Sequence, residues 1–216
     1  MIEIKNLAVR YGKTSVYENF SLRAEDNKIT CILGESGCGK TTLLNAVAGL
    51  VPYGGEISPV AVSYVFQSPR LLPDITVMKN LTVTGAGVEE ARAMLARVGL
   101  SERCNAYPAE LSGGEAQRVA LCRAFLFRSG VLLMDEPFSS LDLKTKLSVM
   151  ELFKGLQAEE GRSTLFVTHD IDEALFLADR ILVVKDGNIV LDEKCESQPF
   201  GAASPLRDKI IGALLA

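Results

Sequence analysis

A glycine-rich octapeptide is the first segment of this sequence that could do chemistry. Residues 34 to 41 fit the pattern G-x-x-x-x-G-K-[ST]. Glycines at this spacing let consecutive backbone N–H groups point at one anion, and a following helix adds the partial positive charge of its N-terminus. Lys40 can reach the outer phosphates of a nucleotide, and the Thr41 hydroxyl is a suitable Mg²⁺ ligand. The predicted nucleotide-binding residues are Gly34, Glu35, Ser36, Gly37, Cys38, Gly39, Lys40, Thr41 and Thr42.

Two acids, Asp135 and Glu136, end a short apolar run further along the chain. The carboxyl ends of parallel strands meet at one edge of a sheet, so these acids can lie beside the glycine-rich loop. Asp135 would then hold Mg²⁺ through water, and Glu136 would polarise an attacking water. On its own, the same pair also fits a helix N-cap or a solvated turn.

Ser112, Gly113 and Gly114 stand at the start of another helical pattern. A serine and two glycines at a helix start can form a second phosphate cradle, although this one has no lysine. A single chain has no evident way to bring this cradle onto its own glycine-rich loop, so a second copy would have to supply it. The alternative is an ordinary N-capped helix.

Apolar, β-branched runs alternate with helical patterns and must position these residues. This alternation predicts a mainly parallel sheet covered by helices on both faces. The predicted strands are 28–33, 62–66, 131–134 and 163–167, and the predicted helices are 40–50, 88–98, 113–129, 143–158 and 170–178.

The two ends of the chain follow a different pattern. Residues 2–9 and 16–24 alternate as half-exposed antiparallel strands, while 181–184 and 189–191 flank Lys185-Asp186-Gly187-Asn188, a hairpin turn in which Gly187 supplies a positive φ. Residues 197–216 contain Pro, Gly and Ser and then a short apolar helix pattern.

Composition limits the classes of protein that fit. With 216 residues and 48% hydrophobic content, the chain can bury a core of its own. A net charge of −4 argues against a nucleic-acid partner, and five widely spaced cysteines argue against a zinc site or disulfides. No apolar run approaches the ~20 residues that cross a bilayer, so we expect a cytoplasmic chain.

The segment Leu111-Ser112-Gly113-Gly114-Glu115 selects among the nucleotide-binding families. The glycine-rich loop alone is compatible with kinases, GTPases, recombinase-like motors and transporter ATPases. Together with the following Ala116-Gln117-Arg118, this segment resembles the signature of the ATP-binding cassette (ABC) family. The resemblance covers nearly the whole chain. It implies an α/β fold with a P-loop NTPase core, a mainly parallel sheet, an N-terminal antiparallel β subdomain and an inserted helical subdomain that carries the signature.

The same resemblance implies the domain organisation and the partners. It implies one nucleotide-binding domain over residues 1–216, with the helical subdomain at about 68–122 and no separate C-terminal regulatory domain. Two such domains pair head to tail on ATP, as a homodimer or with a paired ABC subunit.

The resemblance also assigns roles to single residues. Tyr11 resembles the aromatic that stacks on adenine, although an exposed tyrosine beside a turn is also common. Gln67 resembles the glutamine that contacts Mg²⁺ or the water, and His169, the only histidine, resembles the switch histidine that contacts the γ-phosphate. The implied catalytic residues are Glu136, His169, Lys40 and Gln67, and the implied Mg²⁺ ligands are Thr41, Gln67 and Asp135. The loop Ser139-Ser140-Leu141-Asp142 resembles the one that crosses the dimer interface.

Residues 68–77 suggest the kind of transporter. They resemble the Q-x-x-R-L-L-P-x-x-T-V stretch of bacterial importer ATPases for nitrate, sulfonate, taurine and related solutes. The implied protein hydrolyses ATP on the inner face of the membrane, bound to permease subunits and served by an extracytoplasmic solute-binding protein. The segments 49–63 and 81–88 are shorter than in that subgroup, and Phe138-Ser139-Ser140 replaces its more common F-G-A.

Other functions predict other sequence features. An exporter subunit or a non-transport ABC ATPase shares most of these motifs, but the non-transport proteins typically carry a long coiled coil or two cassettes. A GTPase needs N-K-x-D downstream of the loop, whereas Asn27-Lys28 lies upstream and lacks the Asp. A non-catalytic module would keep the fold without its acid, switch and signature residues.

Overall fold

A computed structural model describes residues 2–215 as two compact units. The first unit contains the chain up to Val62, Gly130–Glu136 and the chain from Gly161 on; the second contains Ser63–Ser129 and Pro137–Glu160. The ends of the predicted 1–216 domain, Met1 and Ala216, lie outside the described residues. No helix between residues 2 and 215 is both long enough and apolar enough to cross a bilayer.

The strands are β1 (Ile2–Tyr11), β2 (Thr14–Ala24), β3 (Ile29–Leu33), β4 (Gly54–Ile57), β5 (Val62–Val65), β6 (Val131–Asp135), β7 (Ser163–Thr168), β8 (Arg180–Lys185) and β9 (Asn188–Lys194). The helices are α1 (Lys40–Val47), α2 (Val77–Thr82), α3 (Val88–Arg97), α4 (Gly113–Leu126), α5 (Leu143–Glu160), α6 (Ile171–Leu177) and α7 (Pro205–Leu215). The predicted strands and helices are confirmed, with their ends shifted by a few residues.

A mainly parallel sheet forms the core of the first unit. Its strands lie in the order β6-β7-β3-β8-β9, and only β9 runs antiparallel to its neighbour. Every residue of β3, β6 and β7 is buried, as expected for strands covered on both faces. The carboxyl ends of these three strands therefore open at one edge of the sheet.

The β8–β9 hairpin follows its sequence signal. Asp186 and Gly187 have φ values of +48° and +73°, the pair of positive angles that a two-residue type I′ turn requires. The predicted turn is confirmed, and it uses a positive φ at Asp186 as well as at Gly187.

A three-stranded antiparallel sheet, ordered β2-β1-β4, completes the first unit. Its central strand β1 buries Ile2, Ile4, Leu7 and Val9 and leaves the residues between them partly or fully exposed, which agrees with the predicted half-exposed strand. Strand β4 was not predicted, because Gly54 and Gly55 have low strand propensity. Pairing with β1 overrides that propensity.

Four helices, α2 to α5, dominate the second unit. Helix α3 buries Ala91, Met94 and Leu95 on one face and stops at Gly99, which has a φ of +71°. Helix α2 was not predicted from the sequence. The buried Asn80 side chain holds it in place by bonding the backbone of Leu72 in both directions, at 2.7 and 3.0 Å.

Candidate functional site

The glycine-rich loop joins the end of β3 to the start of α1 in the first unit. Gly37 and Gly39 have φ values of +86° and +103°, a region that glycine enters without steric cost. A Cβ atom on Gly34 would lie 2.5 Å from the carbonyl oxygen of Val184, so the loop also passes close to the β8 backbone. The positive φ angles at Gly37 and Gly39 and the close backbone approach at Gly34 explain why these three positions are glycine.

Lys40 is buried at the start of α1. Its Nζ donates to the carbonyl oxygens of Gly34 and Glu35 at 2.7 and 2.8 Å and lies 3.9 Å from Glu136 Oε1. The loop's own carbonyls thus satisfy an ammonium that would otherwise be costly to bury. A bound phosphate would offer the same ammonium a charged and stronger partner.

Thr41 and Asp135 join the start of α1 to the end of β6. The Thr41 hydroxyl donates to Asp135 Oδ1 at 3.0 Å. A hydroxyl oxygen beside a carboxylate is a set of hard donors of the kind that Mg²⁺ prefers. These two residues therefore fit the predicted metal site.

Glu136 and His169 follow the neighbouring strands β6 and β7. The backbone N–H of Glu136 donates to the Val167 carbonyl at 3.0 Å, and the residue adopts a φ of +44°. Its Oε2 lies 3.0 Å from His169 Nδ1. The Glu136 side chain is largely buried, whereas half of the His169 side chain is exposed. A carboxylate held between an ammonium and an imidazole suits a general base that activates water.

A polar network that sequence reasoning missed lies beside His169. The Thr168 hydroxyl donates to the buried carboxylate of Glu173 at 2.7 Å and accepts from the Asp170 N–H at 3.1 Å. Asp170 in turn caps α6 by accepting from the N–H groups of Asp172 and Glu173. This network fixes the backbone on both sides of the histidine. A glutamate in the first turn of a helix usually lies at the surface and interacts with the positive end of the helix dipole. The sequence therefore contains no indication that Glu173 is buried.

Ser112 caps the start of α4 in the second unit. Its hydroxyl accepts from the Glu115 N–H at 3.3 Å, and Glu115 Oε2 accepts from the Ser112 N–H at 2.8 Å, which forms a capping box. The Ser112 N–H bond and Arg103 hold the pKa of Glu115 below its usual value. The capping box thus fixes the helix start that contains Gly113 and Gly114.

Gln67 and the loop after Phe138 also belong to the second unit. Gln67 Nε2 donates to Ser139 Oγ at 3.2 Å. Asp142 Oδ1 accepts from the Thr145 N–H at 3.2 Å and so caps the start of α5. The structure therefore joins the predicted glutamine to the predicted interface loop.

The structure brings five of the predicted site residues together within the first unit. Lys40, Thr41, Asp135, Glu136 and His169 meet at one edge of the first unit's sheet. Tyr11 lies at the end of β1 in the same unit, with 49% of its surface exposed and free to stack. Gln67 and the Ser112–Gly114 cradle lie in the second unit.

The sequence of this chain is similar to a known protein family. The family described as ABC transporter matches residues 17–139, more than half of the chain. The chain belongs to the ABC transporter family. Its ATP-binding motifs are thus those of an ABC cassette.

Several ABC relatives are named as aliphatic sulfonates import ATP-binding proteins. One from Rhizobium johnstonii is 44% identical over 202 residues, which is 90% of this chain and 81% of the relative. Two from Paraburkholderia xenovorans are 42% and 46% identical, covering 94% and 87% of this chain. The chain spans 62% of the length of the first of these two and 78% of the second.

Solved ABC structures share the fold. A bacterial ABC transporter cassette described as dimeric is 30% identical, with a TM-score of 0.80 over 92% of this chain and 100% of that one. A second, part of an ABC transporter complex of Clostridium perfringens, has a TM-score of 0.80 at 24% identity, over 89% of this chain and 88% of that one.

These findings confirm three predictions: the ABC family, the α/β P-loop fold and an ATP-hydrolysing transporter subunit. The use of ATP follows from the family. The assignments of individual residues and the domain boundaries stay predictions.

Proposed function

We propose that this chain powers the import of aliphatic sulfonates or closely related small solutes as the ATP-hydrolysing subunit of an ABC importer. The observation that carries this proposal is the 42–46% identity to several proteins named for aliphatic sulfonate import. The sequence of residues 68–77, which resembles importer ATPases of this group, supports the same choice.

Hydrolysis in this proposal uses the residues that meet at the sheet edge. Glu136 takes a proton from the attacking water, and His169, bonded to Glu136 at 3.0 Å, orients that carboxylate and the water. Lys40 leaves its loop carbonyls for the outer phosphates and neutralises the charge that develops there. The Tyr11 ring stacks on the adenine.

Mg²⁺ would be held by Thr41 and Asp135, which lie within hydrogen-bond distance of each other, with Gln67 as a further ligand. When bound, the ion supplies positive charge against the triphosphate. The bond between Thr41 and Asp135 joins the start of α1 to the end of β6.

Two chains pair head to tail in this proposal, so that Ser112–Gly114 of one chain close over the nucleotide on the other. The capping box supports this role because it holds the helix start ready for an anion. The pairing of two chains is also supported by the similar solved cassette, which is described as dimeric.

The permease would dock on the loop after Gln67, at the inner face of the membrane. This loop exposes Leu72, Pro73 and Asp74, a mixed apolar and polar surface suited to a protein partner. A solute-binding protein outside the membrane would deliver the sulfonate to that permease.

The import proposal is tested by deleting the gene in its host and supplying sulfur only as ethanesulfonate. We expect growth to stop on ethanesulfonate and to continue on sulfate. Complementation with the Glu136→Gln variant should fail, while complementation with Glu56→Gln, a change of an exposed strand residue, should succeed. Normal growth of the deletion strain on ethanesulfonate would overturn the choice of solute.

The head-to-tail arrangement is tested by mixing two inactive chains. Lys40→Met disables the loop, and Ser112→Arg disables the cradle. In a mixed dimer, the intact loop of the second chain faces the intact cradle of the first, so one of its two sites works. With random pairing in an equimolar mixture, half of the dimers are mixed, and hydrolysis should return to about a quarter of the wild-type rate. If each site were built within one chain, the mixture would stay inactive.

A further inference from the structure

Tyr17 lies directly behind the glycine-rich loop. Its side chain, on β2, is fully buried, and its hydroxyl has no hydrogen-bond partner within residues 2–215. A Cβ atom on Gly39 would lie 3.0 Å from Tyr17 Cε2 and 3.1 Å from its hydroxyl oxygen. The unpartnered hydroxyl therefore faces the backbone at the point where the loop enters α1.

A buried hydroxyl without a partner destabilises the state that contains it. A phenylalanine would fill nearly the same space against Phe20, whose ring centroid lies 4.9 Å away, without that penalty. Burial, and to a smaller degree Cys38, raise the pKa of Tyr17 above its ordinary value, so the group stays a neutral donor. The hydroxyl thus has no stabilising role in the conformation described.

The glycine-rich loop would adopt a second conformation when a nucleotide is bound. A loop that turns its N–H groups toward a phosphate turns its carbonyl groups the opposite way, toward the protein behind it. Because Gly37 and Gly39 both have positive φ, the peptides between them can turn without a side-chain clash.

We propose that Tyr17 is a positioning residue of the phosphate loop: its hydroxyl donates to a main-chain carbonyl of residues 36–38 when a nucleotide's phosphates draw the loop N–H groups outward. This inference rests on the proposed nucleotide site and assigns it a donor on the protein side. Tyr17 acts only through the loop and touches no reacting atom.

The test compares Tyr17→Phe with the wild-type chain in two measurements. Without nucleotide, the unfolding midpoint of the variant should rise by about 2–4 °C, because an unpaired buried hydroxyl is gone. The affinity for ADP, measured by calorimetry, should fall about fivefold, the equivalent of one neutral hydrogen bond. In turnover assays KM for ATP should rise by a similar factor while kcat changes little, the pattern of lost uniform binding.

Two controls separate this role from simple packing. Phe20→Leu disturbs the same cluster and keeps the hydroxyl, so its unfolding midpoint should fall while its ADP affinity holds. Tyr53→Phe, on an exposed ring, should change neither. Unchanged ADP affinity in Tyr17→Phe would overturn the proposal, and so would parallel losses of stability and affinity in both cluster variants. Failure of the wild-type chain to bind ADP would instead count against the nucleotide site itself.

Discussion

Glu136 Oε2 and His169 Nδ1 lie 3.0 Å apart, although 33 residues separate them in sequence. The pairing arises because β6 and β7 are adjacent and parallel, with Asp135 opposite Val167. Each residue stands just beyond its strand, so register alone brings the two side chains to the same place. Their chemistry is therefore coupled.

That coupling predicts non-additive effects on hydrolysis. Glu136→Gln should bind ATP normally and hydrolyse it at least about 100-fold more slowly, since a positioned base contributes that much. His169→Ala should lose at least about tenfold. The double variant should be close to Glu136→Gln alone, because residues that act as a unit are not additive. Additive losses, or near-normal turnover in Glu136→Gln, would show that the two residues do not work as a base and its orienting partner.

Lys40 offers a test of nucleotide affinity. Lys40→Met keeps the length and the apolar stem of the side chain and removes the charge. ATP affinity should fall at least about tenfold, since hydrogen bonds to charged groups contribute about 1.5–3 kcal/mol. Circular dichroism should stay unchanged, and Lys144→Met, at an exposed helix residue, should bind ATP normally. If calorimetry gives Lys40→Met the wild-type affinity, Lys40 does not bind the phosphates.

Arg123 provides a test of the proposed permease contact. From α4, its guanidinium donates to the carbonyl oxygens of Arg70 and Pro69 at 2.9 and 3.0 Å, so it ties the signature helix to the loop after Gln67. Arg123→Lys cannot reach both carbonyls with the same geometry. Hydrogen exchange at residues 69–76 should quicken by about tenfold, and sulfonate uptake should fall while the ATPase rate of the isolated chain holds.

The matched control is Arg92→Gln, an exposed change in the same unit. It should alter neither exchange nor uptake. Unchanged exchange in Arg123→Lys would mean that other contacts fix this loop.

The β8–β9 hairpin predicts a pH dependence of stability. Arg180 donates two hydrogen bonds to Asp192, at 2.7 and 2.6 Å, and these bonds lower the pKa of that carboxyl. A lowered folded-state pKa stabilises the fold above the unfolded value near 4, and the effect disappears as the pH falls through the folded value. Asp192→Asn should therefore reduce the unfolding free energy at pH 7 by about 0.5 kcal/mol, a value discounted because the Asp192 side chain is half exposed.

Urea titrations from pH 7 to pH 3 check this dependence. The difference between Asp192→Asn and wild type should shrink toward zero below pH 4. A difference that stays constant across this range would assign the effect to packing rather than to charge.

The sequence predicted which residues form the site better than it predicted the hydrogen bonds between them. Lys40 could be found from the glycine-rich motif, Asp135 because it ends a buried apolar run whose carboxyl end meets others at one sheet edge, and His169 from the family resemblance. The 3.0 Å bond between Glu136 and His169 depends on strand order and register, which no local pattern encodes. Thr168 and Glu173 were missed for the same reason.

The elements of the fold also divide into those that the sequence predicted and those that it did not. Strands with continuous apolar runs, such as β3 and β6, were predicted because burial on both faces dictates their composition. Strand β4 and helix α2 depend on partners distant in sequence, the backbone of β1 and the Asn80 bonds. Neither contains the periodicity that marks an element on its own.

The positive φ of Glu136 has a consequence for engineering this protein. An L-residue in that region loses about 1 kcal/mol relative to its ordinary conformations, whereas glycine adopts it freely. Glu136→Gly is thus expected to raise the free energy of unfolding and to remove the proposed catalytic base. A screen that ranks variants by thermal stability alone would select inactive proteins at this position. ATP turnover therefore has to be measured in every round of such a screen.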